Sequence, residues 1–349
     1  MRTRILVGMI TAVALAVTAG ANAGAGGDAL RATLRKQLQL SDSELVSLTR
    51  GRPIVKTLPA ATGREMNTAG GVRIQSSGMA RFVKDFKTLE GFKTSQFIKQ
   101  IQKFSDPPRL SDLDALVMEQ EDLESLRACT VGDCEVQLAA DDIKRFNTEV
   151  NWRADQTQAA RAAGTLYKAV LFAHLDKYRA GGMDQLLAYQ DREATVRLAA
   201  ETEGLLTATP SILEQAPAFR HHIRRFPAGA SANIENFFYW SKETFGFKPT
   251  IGLNHVSVYT EADTGNVLIV TTQIYASHYL DGSIGIHALL PDSMSAGEPG
   301  FYWLYMNRTR IGRLGGLLGT LSRPIVAHKT RSGLMKSMQQ TKQRFEASR

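Results

Sequence analysis

His255, His278 and His287 crowd into the last third of the chain, each set in an apolar, β-branched run. A neutral imidazole donates and accepts hydrogen bonds near pH 7, and its ordinary pKa of about 6.5 also suits general-base work. Strict alternation along 267–280 puts Leu268, Val270, Thr272, Ile274, Ala276, His278 and Leu280 on one strand face. Val267, Ile269, Thr271, Gln273, Tyr275, Ser277 and Tyr279 fall on the other. If the first face lines a cavity, His278 is one of the few polar groups a bound molecule meets. If that face is core, His278 is bonded to a neighbour. A one-residue shift would bring Tyr275 inward instead. Three histidines on neighbouring strands suggest a metal, but no H-E-x-x-H or comparable spacing supports one. Neither a metal nor a cofactor is expected.

Other groups carry two readings each. Phe237-Phe238-Tyr239-Trp240-Ser241-Lys242-Glu243 could be a cavity rim, with rings inside and Lys242 at the mouth, or an amphipathic helix packing Trp240 on a sheet. Arg310 closes the strand-like FYWLYMNRTR, where it could bind an acidic group. His255 and Tyr275, with His278, Trp240, Lys242 and Arg310, complete the ligand-binding candidates. No catalytic residue is assigned, since the chain has no G-x-S-x-G elbow and no phosphate-cradling glycine loop with a lysine. Paired carboxylates would leave no local trace.

Cys129 and Cys134 are the only two cysteines among 349 residues. Their spacing fits neither a C-x-x-C redox centre nor a C-x-x-C-H haem tether, and no further Cys or His stands close enough in sequence to complete a zinc site. Val131-Gly132-Asp133 between them is turn-prone, so outside the cytoplasm the pair is expected to form a disulfide. The compartment is read from the N-terminus. Arg2 and Arg4 precede an apolar run, and Ala21-Asn22-Ala23 supplies a small-x-small cleavage pattern. Residues 1–23 thus read as a signal peptide, and the protein as secreted, with the periplasm its destination. No later stretch is apolar enough to span a membrane, which leaves only transient membrane-surface contact. The net charge of +8 is dispersed, with RHHIRR at 220–225 its densest patch. Without interleaved aromatics, nucleic acid is not an expected partner.

The elements that must position these residues follow from periodicity. Residues 24–60 form an N-terminal helical extension with a short strand at 54–58. Residues 65–76 read as a strand and 79–90 as an amphipathic helix. Short strands are expected over 110–138, and helices from about 139 to 245. Then come long strands, with a hairpin turn at Asp263-Thr264-Gly265-Asn266, and a helix from Leu314 to Phe345 interrupted at Pro324. Leu317, Leu318, Leu321, Leu334 and Met338 form its expected buried stripe.

The strand at 66–76 leading into a helix, and the ending GFYWLYMNRTR then SRPIVAHKTRSGLMKSMQQTKQRFE, resemble the START-type, helix-grip domains related to polyketide cyclases and lipid-transfer proteins. FYWSKETFG and the YASHY stretch also resemble secreted bacterial proteins of unassigned function. The START resemblance is one of pattern, covers roughly 65–150 and 235–346, and leaves the helical 150–230 as an insertion. It implies an α+β fold, a curved antiparallel sheet gripping a long C-terminal helix, over 61–346. It further implies a cavity for a hydrophobic small molecule, a lipid, sterol or polyketide. Relatives of that kind include carriers and enzymes, so a cyclase, dehydratase or hydrolase using His278 or His255 is the alternative. An envelope interaction protein with a filled core is a third.

Overall fold

The computed structural model describes residues 18–89, 97–208, 212–229, 231–244, 248–295, 298–312 and 316–347. Most of the expected signal peptide, residues 1–17, lies outside them, and so do the side chains of Leu317, Leu318 and Leu321. Helices α1 (Thr18–Leu38) and α2 (Asp42–Thr49) lead into strands β1 (Ile54–Leu58) and β2 (Glu65–Ile74), then α3 (Met79–Lys87) and β3 (Ile98–Lys103). A helical section follows: α4 (Gln120–Ala128), α5 (Ala140–Glu149) and α6 (Gln156–Gly181). It continues through the two-residue strands β4 (Ala188–Tyr189) and β5 (Val196–Arg197) to α7 (Leu198–Ala208) and α8 (Pro217–Arg225). Long strands come next: β6 (Ile234–Glu243), β7 (Thr250–Thr260), β8 (Val267–Ala276), β9 (Leu280–Pro291) and β10 (Phe301–Ile311). The last element is α9 (Gly316–Glu346).

Eight strands form one antiparallel sheet in the order β1-β2-β10-β9-β8-β7-β6-β3, curved around α9. This is the expected α+β arrangement of a sheet gripping a C-terminal helix. The inner face carries Val72, Val256, Ile269, Leu289 and Trp303 against Phe82 and Phe86 of α3 and Met338 and Phe345 of α9. The outer face carries Leu268, Ile284, Ile286 and Leu304 against Leu34, Leu48, Leu205 and Phe219. Further along the same face, Trp240, Ile251 and Leu253 pack on Phe146, Leu171 and Leu175. The helical insertion therefore backs the sheet on the side away from α9. Burial on both faces explains why β8 reads almost continuously apolar.

Local chemistry sets the boundaries. Ser41 caps α2 reciprocally: its Oγ accepts from the Glu44 N–H at 3.3 Å while Glu44 Oε2 accepts from the Ser41 N–H at 2.8 Å. Asp155 caps α6 by accepting from the Thr157 and Gln158 N–H groups. At the far end of α6, Gly182 takes φ 61°, and a Cβ there would stand 1.7 Å from the Phe226 carbonyl oxygen. A Cβ on Gly71 would meet Leu38 Cδ1 at 2.6 Å, so glycine there lets α1 lie close on β2.

Four elements depart from the sequence reading. The segment 110–138 holds a 3₁₀ turn at Leu110–Leu113 and α4, not short strands, with isolated bridges from Asp133 of the cysteine turn to Thr130 and to Arg192. Glu121 and Asp122 in the first turn of α4 and Arg127 in its last suit a helix dipole. Residues 237–243 belong to β6, where the ring-rich sequence fits a pleated surface, and not to a helix. The expected strand over 266–280 ends at Ala276; the chain reverses through Ser277–Tyr279, Tyr279 taking φ 61°. No Gly, Pro, Asn or Asp marks that reversal. Finally, α9 runs through Pro324 unbroken, since one missing N–H is a small fraction of a 31-residue helix held by packing. Cys129 and Cys134 are disulfide-bonded, as expected, across a Cα–Cα distance of 4.5 Å.

Candidate functional site

Between the inner sheet face and α9 lies a cavity of about 390 Å³, within the range of small-molecule sites. Its lining divides by element. Helix α9 contributes Val326, Thr330, Leu334, Ser337 and Thr341, and Phe82, Phe86 and Trp303 make an aromatic wall. The sheet floor is polar: Ser241, Glu243, Thr250, Asn254, Thr271, Asn307 and Thr309 all face in. Alternation places them there. Tyr239, Ser241 and Glu243 share one face of β6, and register sets them opposite Asn254, Gly252 and Thr250 of β7. Gly252 and Gly285 add no side chain to the floor and leave it room.

Two titratable groups define the chemistry of this space. His287 on β9 lines it, with the Trp303 indole N–H donating to its Nδ1 at 3.0 Å. That bond leaves the ring proton on Nε2. Burial holds the imidazole pKa down at about 3, so His287 is neutral at pH 7. Its ring packs edge-on against Phe86 and lies 4.6 Å from the Tyr305 centroid. Glu243 closes β6, and its Oε1 accepts from the Ser241 hydroxyl at 2.7 Å. Burial pushes this carboxyl above its ordinary pKa, and the Ser241 bond only partly offsets the effect. Tyr239 and Tyr305 are raised first by burial and further by the Glu243 charge, Tyr305 to about 12. Both remain neutral hydroxyls. The cavity thus offers hydroxyls, amides, one neutral imidazole, the Glu243 carboxyl and the Asp85–Arg344 ion pair.

Of the six residues singled out from sequence, Tyr275 alone borders the cavity, but a β-bulge after Gln273 sets it opposite Leu253, and its hydroxyl shares a 3.0 Å hydrogen bond with that of Tyr167 on the outer face. His278 stands in the β8–β9 turn, buried, with Nε2 2.9 Å from Asp122 Oδ1 and Nδ1 3.1 Å from the Glu135 carbonyl oxygen. His255 points to the outer face, 2.9 Å from the Tyr178 hydroxyl and 2.9 Å from Asn236 Oδ1. Burial, and secondarily His222, keeps its pKa at about 3. Trp240 is buried on the outer face and donates to the Asp112 carbonyl oxygen at 2.8 Å. Lys242 is buried beside it, bound to the Val117 carbonyl oxygen at 2.7 Å and to Glu119 at 2.5 Å. Arg310 joins Glu65 at 3.2 Å and Glu201 at 2.7 Å, tying β10 to β2 and α7. The three strand histidines do not converge: one faces out, one sits in a turn, and His287 alone faces the cavity.

The face of β8 that lines the cavity is the one bearing Thr271 and Gln273, the second of the two faces read from the sequence; the bulge beyond Gln273 breaks the alternation and takes the Tyr275 side chain off it. Glu243 is not among the sequence candidates, and His287 enters only as one of three strand histidines weighed for a metal. A signal for Glu243 existed: it is the polar end of an alternating row whose other members are an aromatic and a serine. No protein-family model and no curated protein matches this chain, so the site is read from its own chemistry.

Proposed function

We propose that the protein is an exported carrier, acting in the periplasm, that holds one small amphipathic molecule between its sheet and α9 and does not transform it. The observation that carries this reading is the mixed lining of the 390 Å³ cavity, with an aromatic wall of Phe82, Phe86 and Trp303 beside a sheet floor rich in hydroxyls and amides. Such a lining suits a ligand with an apolar body and a polar head. The disulfide fits an oxidising compartment. Among the described residues no helix is long and apolar enough to cross a membrane. The START-like pattern of the sequence points the same way.

An enzyme on the same scaffold is the second reading, and the presence of His287 and Glu243 in one cavity favours it. Native mass spectrometry of gently purified protein separates the two. The carrier reading expects one small molecule to travel with the chain, to be released by denaturant, and to come back unchanged after prolonged incubation. Recovery of a new product would establish the enzyme. Apo protein that takes up no apolar probe would overturn both.

A further inference from the structure

We infer that the molecule held in this cavity is an amphipathic cation, its protonated amine seated on Glu243 and its apolar body lying toward Phe82, Phe86 and Trp303. The inference rests on the carrier reading and names its ligand class.

This fold pairs its buried carboxylates with basic side chains, whereas Glu243 is half-buried at the end of β6. Glu65 is paired with Arg310, Asp122 with His278, Asp142 with His174, and Asp191 and Asp281 with Arg192. The side chain of Asp292, fully buried, is paired with Arg73 at 2.6 Å. The second carboxylate lining the cavity, Asp85, has Arg344 at 3.2 Å. Glu243 breaks this pattern. Among the described residues it has no Lys, Arg or His within ion-pair distance, and the Ser241 hydroxyl is its hydrogen-bond partner. The adjacent cation, Lys242, points through the sheet to the opposite face and is held there by Glu119. His287 across the cavity is neutral and supplies no charge.

A carboxylate in such a place is costly unless a cation joins it. Burial raises the Glu243 pKa, and the Ser241 hydroxyl offsets only part of that rise. A ligand ammonium would supply a cation, with the charge-assisted hydrogen bonds that the buried carboxylates among the described residues obtain from the protein. The same charge repels a fatty acid head group, so the cavity discriminates by sign. Glu243 lies in the row with Thr250 and Gly252, whereas Phe86 and Trp303 gather around His287 further along the sheet. Head and body therefore have separate seats.

Three probes of one chain length test this: decylamine, decanol and decanoate, each displacing a neutral fluorescent apolar probe at pH 7. The expected order is amine tighter than alcohol by at least about tenfold, with decanoate weakest. In Glu243→Gln the amine should fall to the level of the alcohol, while decanol binding holds and the melting temperature does not fall. An amine no tighter than the alcohol in the wild type, or a preference unchanged in the variant, overturns the cation inference and leaves the carrier reading standing. If neither the neutral probe nor any of the three binds, the carrier reading itself falls.

Discussion

The Trp303 indole donates to His287 Nδ1 at 3.0 Å between neighbouring strands, with the two rings nearly parallel. This bond fixes the histidine tautomer and turns Nε2–H into the donor the cavity wall can offer. Trp303→Phe removes the donor and leaves Nδ1 buried without a partner. That loss should cost about 1–3 kcal/mol, read from the shift of the urea midpoint. An unchanged midpoint would show that the bond does not order the wall.

His287 and His255 make stability depend on pH in one direction. Both bind protons more weakly folded, near pKa 3, than unfolded, near 6.5. The stabilisation from each is complete above pH 6.5 and is lost as the pH falls from there toward 3. Each contributes up to about 1.4 kcal/mol per pH unit in that window. Glu243, with its raised pKa, acts in the opposite sense, losing stability as pH rises through its titration, so it makes the slope shallower near that point. Urea unfolding at pH 7, 6 and 5 should show a steady decline, and His287→Gln should remove about half of the slope. A flat profile between pH 5 and 7 would contradict the buried neutral histidines.

What the sequence made legible follows from which signals are local. The hairpin turn at Asp263–Asn266 and the cysteine turn each announce themselves through glycine and an Asx residue, and each is present. The sheet-and-helix architecture was legible from strand length and the C-terminal periodicity. The cavity face was not, because β8 is buried on both sides and alternation there carries no polarity. The reversal at Ser277–Tyr279 compounded this. It took His278 out of the strand face on which alternation had placed it, with no turn residue to warn of the change. Lys242 and Arg310 looked available only because Glu119, Glu65 and Glu201 are remote in sequence.

The disulfide should be a local staple with no reach into the cavity. Its loop is short, so the chain-entropy model gives about 2 kcal/mol. Around it, the Cys134 N–H donates to the Asp191 carbonyl oxygen and Asn147 donates to that of Cys129, contacts within the helical insertion. Unfolding without reductant should expose no titratable thiol. Cys129→Ser should lower stability modestly and leave probe binding unchanged. A large change in binding would mean that the insertion governs the cavity from the outer face.

Helix α9 should owe its seat to Met338 more than to any charge. Met338 is fully buried, and a Cβ on Gly70 would meet its Cε at 3.0 Å, so the side chain lies directly on the β2 backbone. Met338→Ala should cost about 2–5 kcal/mol and weaken retention of any cavity ligand, since α9 forms one wall. The exposed pair Lys144–Asp141 provides the contrast, with about 0–1 kcal/mol expected on its removal. If Met338→Ala left both stability and retention unchanged, α9 would not be the wall that closes the site.

The sharpest separation of fold from site comes from two histidines on neighbouring turns and strands. His278 bonds Asp122, which is 1% exposed, and so ties the β8–β9 turn to α4 on the far side of the sheet from α9. His278→Ala leaves that carboxylate buried and unpartnered, so it should cost more than about 1–3 kcal/mol, with a lowered melting temperature as the readout. Probe affinity at a temperature where the variant is folded should not move. His287→Ala should do the reverse in kind. It opens space at the cavity wall and removes one donor, worth about 0.5–1.5 kcal/mol of binding, so retention of a polar-headed ligand falls by up to about tenfold. The two effects must appear in different assays. Equal loss of binding in both variants would place His278 in the site and undo the assignment of the inner face.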